Sequence, residues 1–118
     1  MAGKRVLIVE DEPVIGFALE DMLDSLGWET IGVASRVQEA LDLIRSDAPD
    51  TAILDVNLHG EKSYPVADLL ADREIPYIFA TGYGDSEHPP RHKQITTLTK
   101  PYSIEQIRAA LPRTGELD

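Results

Sequence analysis

Asp55 closes the strand-like part of the stretch Thr51-Ala52-Ile53-Leu54-Asp55-Val56-Asn57, an apolar run bounded by Pro49-Asp50 on one side and by Asn57, His59 and Gly60 on the other. Such a run reads as a short strand buried on both faces. A carboxylate at the last position of a strand in an open α/β sheet points into the crevice where ligands bind. Other strand-like runs end in a similar way. Val6 to Val9 leads into Glu10-Asp11-Glu12, Tyr77 to Ala80 into Thr81, and Ile95 to Thr99 into Lys100. In a parallel sheet these residues share one edge. Carboxylates gathered there repel one another, so the site must raise a pKa or bind a cation. Magnesium suits it, being a hard ion that takes one or two carboxylates together with a phosphate, and Asp11 and Asp55 are the candidate ligands. Lys100, a mobile point charge, and the Thr81 hydroxyl would serve the phosphate, and Asp55 could attack phosphorus to give an acyl phosphate.

The elements that position these residues alternate between strand-like runs and helical periodicity, the signature of βα units around a parallel sheet. A first strand over about Lys4 to Val9 is followed by Pro13, suited to a first helical turn, and by Ile15, Leu19, Met22 and Leu26 at helical spacing; Gly27 supplies the left-handed stop. A second strand spans about Glu29 to Val33. Ser35 and Gln38 then read as a capping box for a helix that buries Val37, Leu41 and Ile44. After the central strand and a His59 to Lys62 loop, a helix around Pro65 to Asp72 buries Val66, Leu69 and Leu70. Tyr77 to Thr81 is the fourth strand. Between Gly82 and Lys93 stand two glycines and Pro89-Pro90, so any helix there is short or displaced, and this is the region expected to be most mobile. Ile95 to Thr99 is the fifth strand. Ser103 with Gln106 caps a last helix carrying Ile104, Ile107 and Leu111.

Composition bounds the function. The 118 residues fit one domain, expected to span 1–118 with a core over about 4–111 and no output domain. The absence of cysteine excludes a disulfide scaffold, a thiolate metal site and cysteine catalysis. Val6 to Val9 is too short an apolar segment for an export signal or a membrane span, so a cytoplasmic location without a membrane partner is expected. A net charge of −10 repels polyphosphate, which argues against nucleic acid and for a protein partner.

Four motifs in order, VLIVEDE from Val6, ILDVNLHG from Ile53, the ATG of FATGYG from Phe79 and LTKP from Leu98, make the chain resemble the receiver domain of two-component response regulators. The resemblance covers about Lys4 to Leu111. It implies a doubly wound, flavodoxin-like (βα)5 fold with a parallel five-stranded sheet of order 2-1-3-4-5. It implies Asp55 as the residue phosphorylated by a sensor histidine kinase or phosphotransfer protein, with Asp11 and Asp55 as magnesium ligands. Asn57 would add its backbone carbonyl, Glu10 would act through water, and Thr81 and Lys100 would hold the phosphoryl oxygens. The bond before Pro101 is expected to be cis. Pro76 to Tyr83 further resembles the PFxFATGY signature of a subgroup of single-domain receivers, with Tyr77 in place of phenylalanine; members commonly partner unusual sensor kinases and have a poorly formed fourth helix. Receivers carry a switch aromatic three residues before the lysine, and here that position is Thr97, which leaves Tyr83 and Tyr102 as switch candidates.

The implied function is a stand-alone phosphoacceptor that signals through affinity for a downstream protein, not an enzyme in the usual sense. Two other readings use the same residues. A magnesium-dependent phosphohydrolase would use Asp55 as nucleophile, but that chemistry usually needs a second acid two residues on, where Asn57 stands. A phosphorylation-independent interaction module leaves the site residues without a purpose. Elsewhere plainer readings hold. Glu10-Asp11-Glu12 alone would be a solvated helix start, a reading that the company of Asp55 and Lys100 reverses. His59, His88 and His92 share no ligand spacing and read as surface residues. Arg91-His92-Lys93 reads as a solvated loop, and Tyr77 and Phe79 as packing residues on one strand face.

Overall fold

The computed structural model describes residues 4–81, 89–92, 95–100 and 102–111. Along the chain run β1 (Arg5–Val9), α1 (Pro13–Ser25), β2 (Glu29–Ala34), α2 (Val37–Ser46), β3 (Thr51–Asp55), β4 (Asn57–Leu58), β5 (Glu61–Lys62), α3 (Tyr64–Asp72), β6 (Tyr77–Thr81), a 3-10 turn (Pro90–His92), β7 (Thr97–Thr99) and α4 (Ile104–Ala110). Five strands form one parallel sheet in the order β2-β1-β3-β6-β7, which is 2-1-3-4-5 when only its own strands are counted. This is the flavodoxin-like order that the resemblance implied, with the short strands β4 and β5 set apart as an antiparallel pair.

Every residue of β3 and β6 is buried, because helices cover both faces of the sheet. Strand alternation divides the core in two. Leu7, Val9, Ala52, Leu54, Tyr77 and Phe79 pack with Ile44 of α2 and Leu70 of α3. Val6, Ile8, Ile53, Ile78 and Ala80 pack with Leu19 and Leu23 of α1 and Ile107 of α4. The same alternation governs the strand ends. Carried two residues beyond Ile8, Ile53 and the partly buried Leu98, it brings Glu10, Asp55 and Lys100 to the α1 side, while Thr81 follows Tyr77 and Phe79 on the other.

Helix ends are set by local chemistry. Pro13 opens α1, and at its other end Gly27, with φ +87°, closes a Schellman motif in which Trp28 N–H donates to the Leu23 carbonyl at 2.9 Å and Gly27 N–H to that of Asp24 at 3.0 Å. The predicted box at Ser103 is present: Gln106 N–H donates to Ser103 Oγ at 3.2 Å and Ser103 N–H to Gln106 Oε1 at 2.7 Å. The box predicted at Ser35 and Gln38 is absent. The N-cap of α2 is Arg36, so Glu39, not Gln38, occupies the reaching-back position; its carboxylate accepts from Ser35 N–H at 3.0 Å, while Gln38 bonds to Asp42. Where the sequence suggested a plain loop at 59–62, His59 and Gly60 have φ of +50° and +83° and turn β4 back onto β5. The fourth helix is represented among the described residues by the Pro90–His92 turn alone. Tyr83 and Pro101 lie outside the described residues. Among the described residues no helix is long and apolar enough to cross a membrane.

Candidate functional site

β1, β3, β6 and β7 end at one edge of the sheet, where Asp55 closes β3 and the residues just after β1 and β7 are Glu10, Asp11 and Lys100. Lys100 Nζ donates to Glu10 Oε1 at 2.7 Å and to Asp55 Oδ2 at 3.2 Å, so one ammonium bridges two carboxylates brought from distant parts of the chain. Glu10 is only 3% exposed and Asp55 9%. Asp11 sits further out, where its Oδ2 accepts from His59 N–H at 2.9 Å, with the His59 Nδ1 at 3.9 Å. Thr81 is buried at the end of β6, and its carbonyl accepts from Lys100 N–H at 2.8 Å, which fixes β7 against β6 just where the lysine leaves the sheet. Asp55, Asn57, His59, Thr81, Lys100 and Asp11 line an open cleft of about 480 Å³.

Electrostatically the site is under tension. Burial pushes the Glu10 carboxyl up to about 7, and the neighbouring Asp55 charge adds to this, although the Lys100 hydrogen bond pulls the other way. Burial alone would lower Lys100, but its hydrogen bond to Glu10 and the two carboxylate charges outweigh this and hold the ammonium above its ordinary value. Carboxylate oxygens of Glu10, Asp11 and Asp55 lie within 4.8 Å of one another. Hard oxygen donors gathered in a partly open cleft fit a hard divalent cation such as magnesium.

The sequence-predicted residues therefore converge, with differences of rank. Glu10, expected in a supporting role, is the deepest of the acids and the nearer partner of Lys100. The Asn57 side chain is exposed, and its N–H lies 3.4 Å from Asp55 Oδ1. Tyr102 is half-buried; its hydroxyl has no hydrogen-bond partner among the described residues, and burial pushes its pKa up to about 12. The hairpin that brings His59 to Asp11 was missed, and its signal was the His-Gly pair between two extended dipeptides.

One expectation for the Arg91-His92-Lys93 stretch fails, that His92 is a surface residue, and Lys93 lies outside the described residues. His92 is 1% exposed, because Asp68 and Tyr77 offer it hydrogen bonds inside the core. Arg91 is solvent-exposed but paired, its Nε and Nη2 donating to Asp68 at 2.6 and 3.0 Å.

Comparison with known proteins agrees with this geometry. The response regulator receiver domain model matches residues 6–112. The solution structure of SdrG from Sphingomonas melonis Fr1 superposes with a TM-score of 0.84 at 43% identity, covering 93% of this chain and 94% of that one. Sporulation initiation phosphotransferase F of Bacillus subtilis (strain 168) is 29% identical over 96% of this chain and 94% of its own length. Transcriptional regulatory protein PdtaR of Mycobacterium tuberculosis is 32% identical over 92% of this chain, which spans 55% of that protein.

Proposed function

The chain belongs to the response regulator receiver domain family of two-component signalling, and on that premise we propose that it works as a stand-alone, single-domain receiver phosphorylated on Asp55 in a magnesium-dependent relay. The phosphoryl donor is a sensor histidine kinase or phosphotransfer protein. The output is a changed affinity for a downstream protein. The single observation that carries this reading is the Lys100 ammonium suspended between Glu10 and Asp55 beside Asp11, an arrangement suited to holding an acyl phosphate with its counter-charge. The near-complete coverage of SdrG and of phosphotransferase F supports the stand-alone part.

In the transfer, an Asp55 carboxylate oxygen bonds to phosphorus as the phosphorus–nitrogen bond of the donor breaks, and the electron pair leaves with the imidazole. Lys100 swings from the carboxylates to a phosphoryl oxygen, and the Thr81 hydroxyl donates to another. Bound magnesium supplies the positive charge that offsets the phosphoryl oxygens. Asp11, Asp55 and the Asn57 carbonyl would hold it, with Glu10 behind a water.

Donor docking is supported by the neighbouring surface. Val14 and Phe17 of α1 are 78% and 64% exposed, and Val14 lines a groove of about 400 Å³ together with Ile15, Met22, Lys100 and Tyr102. Phe17→Ser should slow transfer from a phosphohistidine donor and leave labelling by a small phosphodonor unchanged.

The test is labelling with either donor in the presence of magnesium. The label should be labile to base and hydroxylamine, and Asp55→Asn should abolish it. Phosphate on a serine, threonine or histidine would sink the assignment. Steady turnover of simple phosphate esters would instead indicate the phosphohydrolase, and partner binding indifferent to phosphate the plain interaction module.

A further inference from the structure

β6 carries a second polar cluster, at the end opposite Thr81. Tyr77, its first residue, places its hydroxyl 2.6 Å from His92 Nδ1. His92 Nε2 lies 2.8 Å from Asp68 Oδ1 of α3, and Arg91 binds the same carboxylate with two nitrogens. The imidazole is also packed on every aromatic side of the pocket. It stacks on Tyr64 with centroids 5.8 Å apart and planes 10° apart, and meets Tyr77 and Phe79 edge to face at 5.8 and 5.9 Å.

Buried polar atoms need partners, which for a His92 ring carrying one proton sets the direction of each hydrogen bond. The Arg91 hydrogen bonds hold Asp68 below the usual carboxylate range against the opposing effect of burial, so Asp68 is an acceptor. His92 Nε2 must then carry the proton. Nδ1 of the neutral ring is an acceptor, and Tyr77, whose pKa burial raises, donates to it. The order acid, imidazole, hydroxyl is that of a nucleophile-activating triad. Here the hydroxyl and the imidazole are both buried, so the arrangement holds and does not react. It also gives a reason for Tyr77 in place of phenylalanine: a phenylalanine would leave Nδ1 unsatisfied in an apolar pocket.

We propose that Tyr77, His92 and Asp68 are positioning residues of a latch that pins the Pro90–His92 turn to β6 and α3, and that this latch sets how far the turn responds when Asp55 is phosphorylated. The route to the site is short. Phe79, in contact with Tyr64, Tyr77 and His92, lies on the same strand face as Thr81 two residues on, and pairs in register with Thr97 on β7. The His92 and Tyr64 rings therefore pack around Phe79, next to the strand position where receivers carry their switch aromatic and this chain has Thr97. The second half of the proposal rests on the receiver reading; the latch itself does not.

Amide hydrogen exchange and imidazole nitrogen NMR on the whole chain test both halves. The reporters are His92 N–H, which donates to the Pro89 carbonyl at 2.8 Å, and Ile95 N–H, which donates to that of His92 at 3.2 Å. Tyr77→Phe removes one oxygen and keeps the ring. It should speed exchange at these two amides roughly tenfold, while Leu23 and Leu54, protected until the whole chain unfolds, should keep the far slower exchange of the core. In the unsubstituted chain, His92 Nδ1 should resonate as an unprotonated nitrogen. Unchanged exchange, or a proton on Nδ1 of the neutral ring, would overturn the latch. Magnesium with beryllofluoride should alter exchange at the two reporters, and Tyr77→Phe should at least halve that change. An equal change in both proteins would overturn the coupling. Failure of beryllofluoride to perturb the Asp55 and Lys100 signals would count against the receiver reading and leave the latch standing.

Discussion

The two ends of β6 carry polar clusters of opposite temper. At the Thr81 end, three carboxylates crowd one lysine, Glu10 is forced up to about 7, and Asp11 is held by a backbone N–H at the rim. At the Tyr77 end, each donor meets an acceptor in a single order from Arg91 to Tyr77, and Asp68 is held down. Crowded like charges leave a free-energy gain to be made by a cation or a phosphoryl group. A satisfied network offers no such gain and fixes the backbone around it. Five residues of one strand thus connect the two, with Thr81 lining the crowded cleft and Tyr77 opening the satisfied network.

Lys100→Ala breaks the comparison most severely. It should lower the rate of phosphoryl transfer about 10²-fold or more, since a charge aimed at the phosphoryl oxygens is lost, and stopped-flow or quenched labelling checks this. Next comes Asp11→Ala. With magnesium at about a hundred times its dissociation constant, the unsubstituted protein should gain about 3 kcal/mol, and the variant little of it, as measured by thermal or urea melts. Tyr77→Phe should cost about 2 kcal/mol in the same melts and leave the magnesium gain intact, which separates the two ends.

The last effect is in pH. Glu10 has an unfolded value near 4.5 and a folded value near 7, so between these the folded protein holds the more protons. Metal-free stability should therefore fall as pH rises through that window. Excess magnesium should flatten the slope. Asp68 has the other sign: its contribution is present above its ordinary carboxylate value and lost as pH falls through its lowered one. Melts across pH with and without magnesium would show both limbs.

The crowded end was legible in the sequence and the satisfied end was not, for a physical reason. Asp55, Glu10, Thr81 and Lys100 are each the terminal residue of an apolar run, and parallel pairing alone sends such termini to one edge. The bounds Tyr77–Thr81 and the box at Ser103 and Gln106 are likewise local properties. His92 takes its partners from residues 15 and 24 positions away, so a polar stretch that reads as a solvated loop becomes core only after α3 and β6 have packed. At Ser35 the error was local. A helix beginning at Val37 shifts every capping position by one and turns a plausible box into hydrogen bonds from the Ser35 N–H and Oγ to the Glu39 carboxylate. The replacement of phenylalanine by Tyr77 was visible from the start, but its partner was not.

The most direct test of the phosphoacceptor site traps the acyl phosphate. The protein is incubated with magnesium and a small phosphodonor, reduced with borohydride, digested and sequenced by mass spectrometry. The account predicts reduction of the side chain at Asp55 and at no other acid, dependent on magnesium and absent without the donor. Reduction at another carboxylate, or unmodified Asp55 in protein that carries a stable phosphate elsewhere, would contradict it.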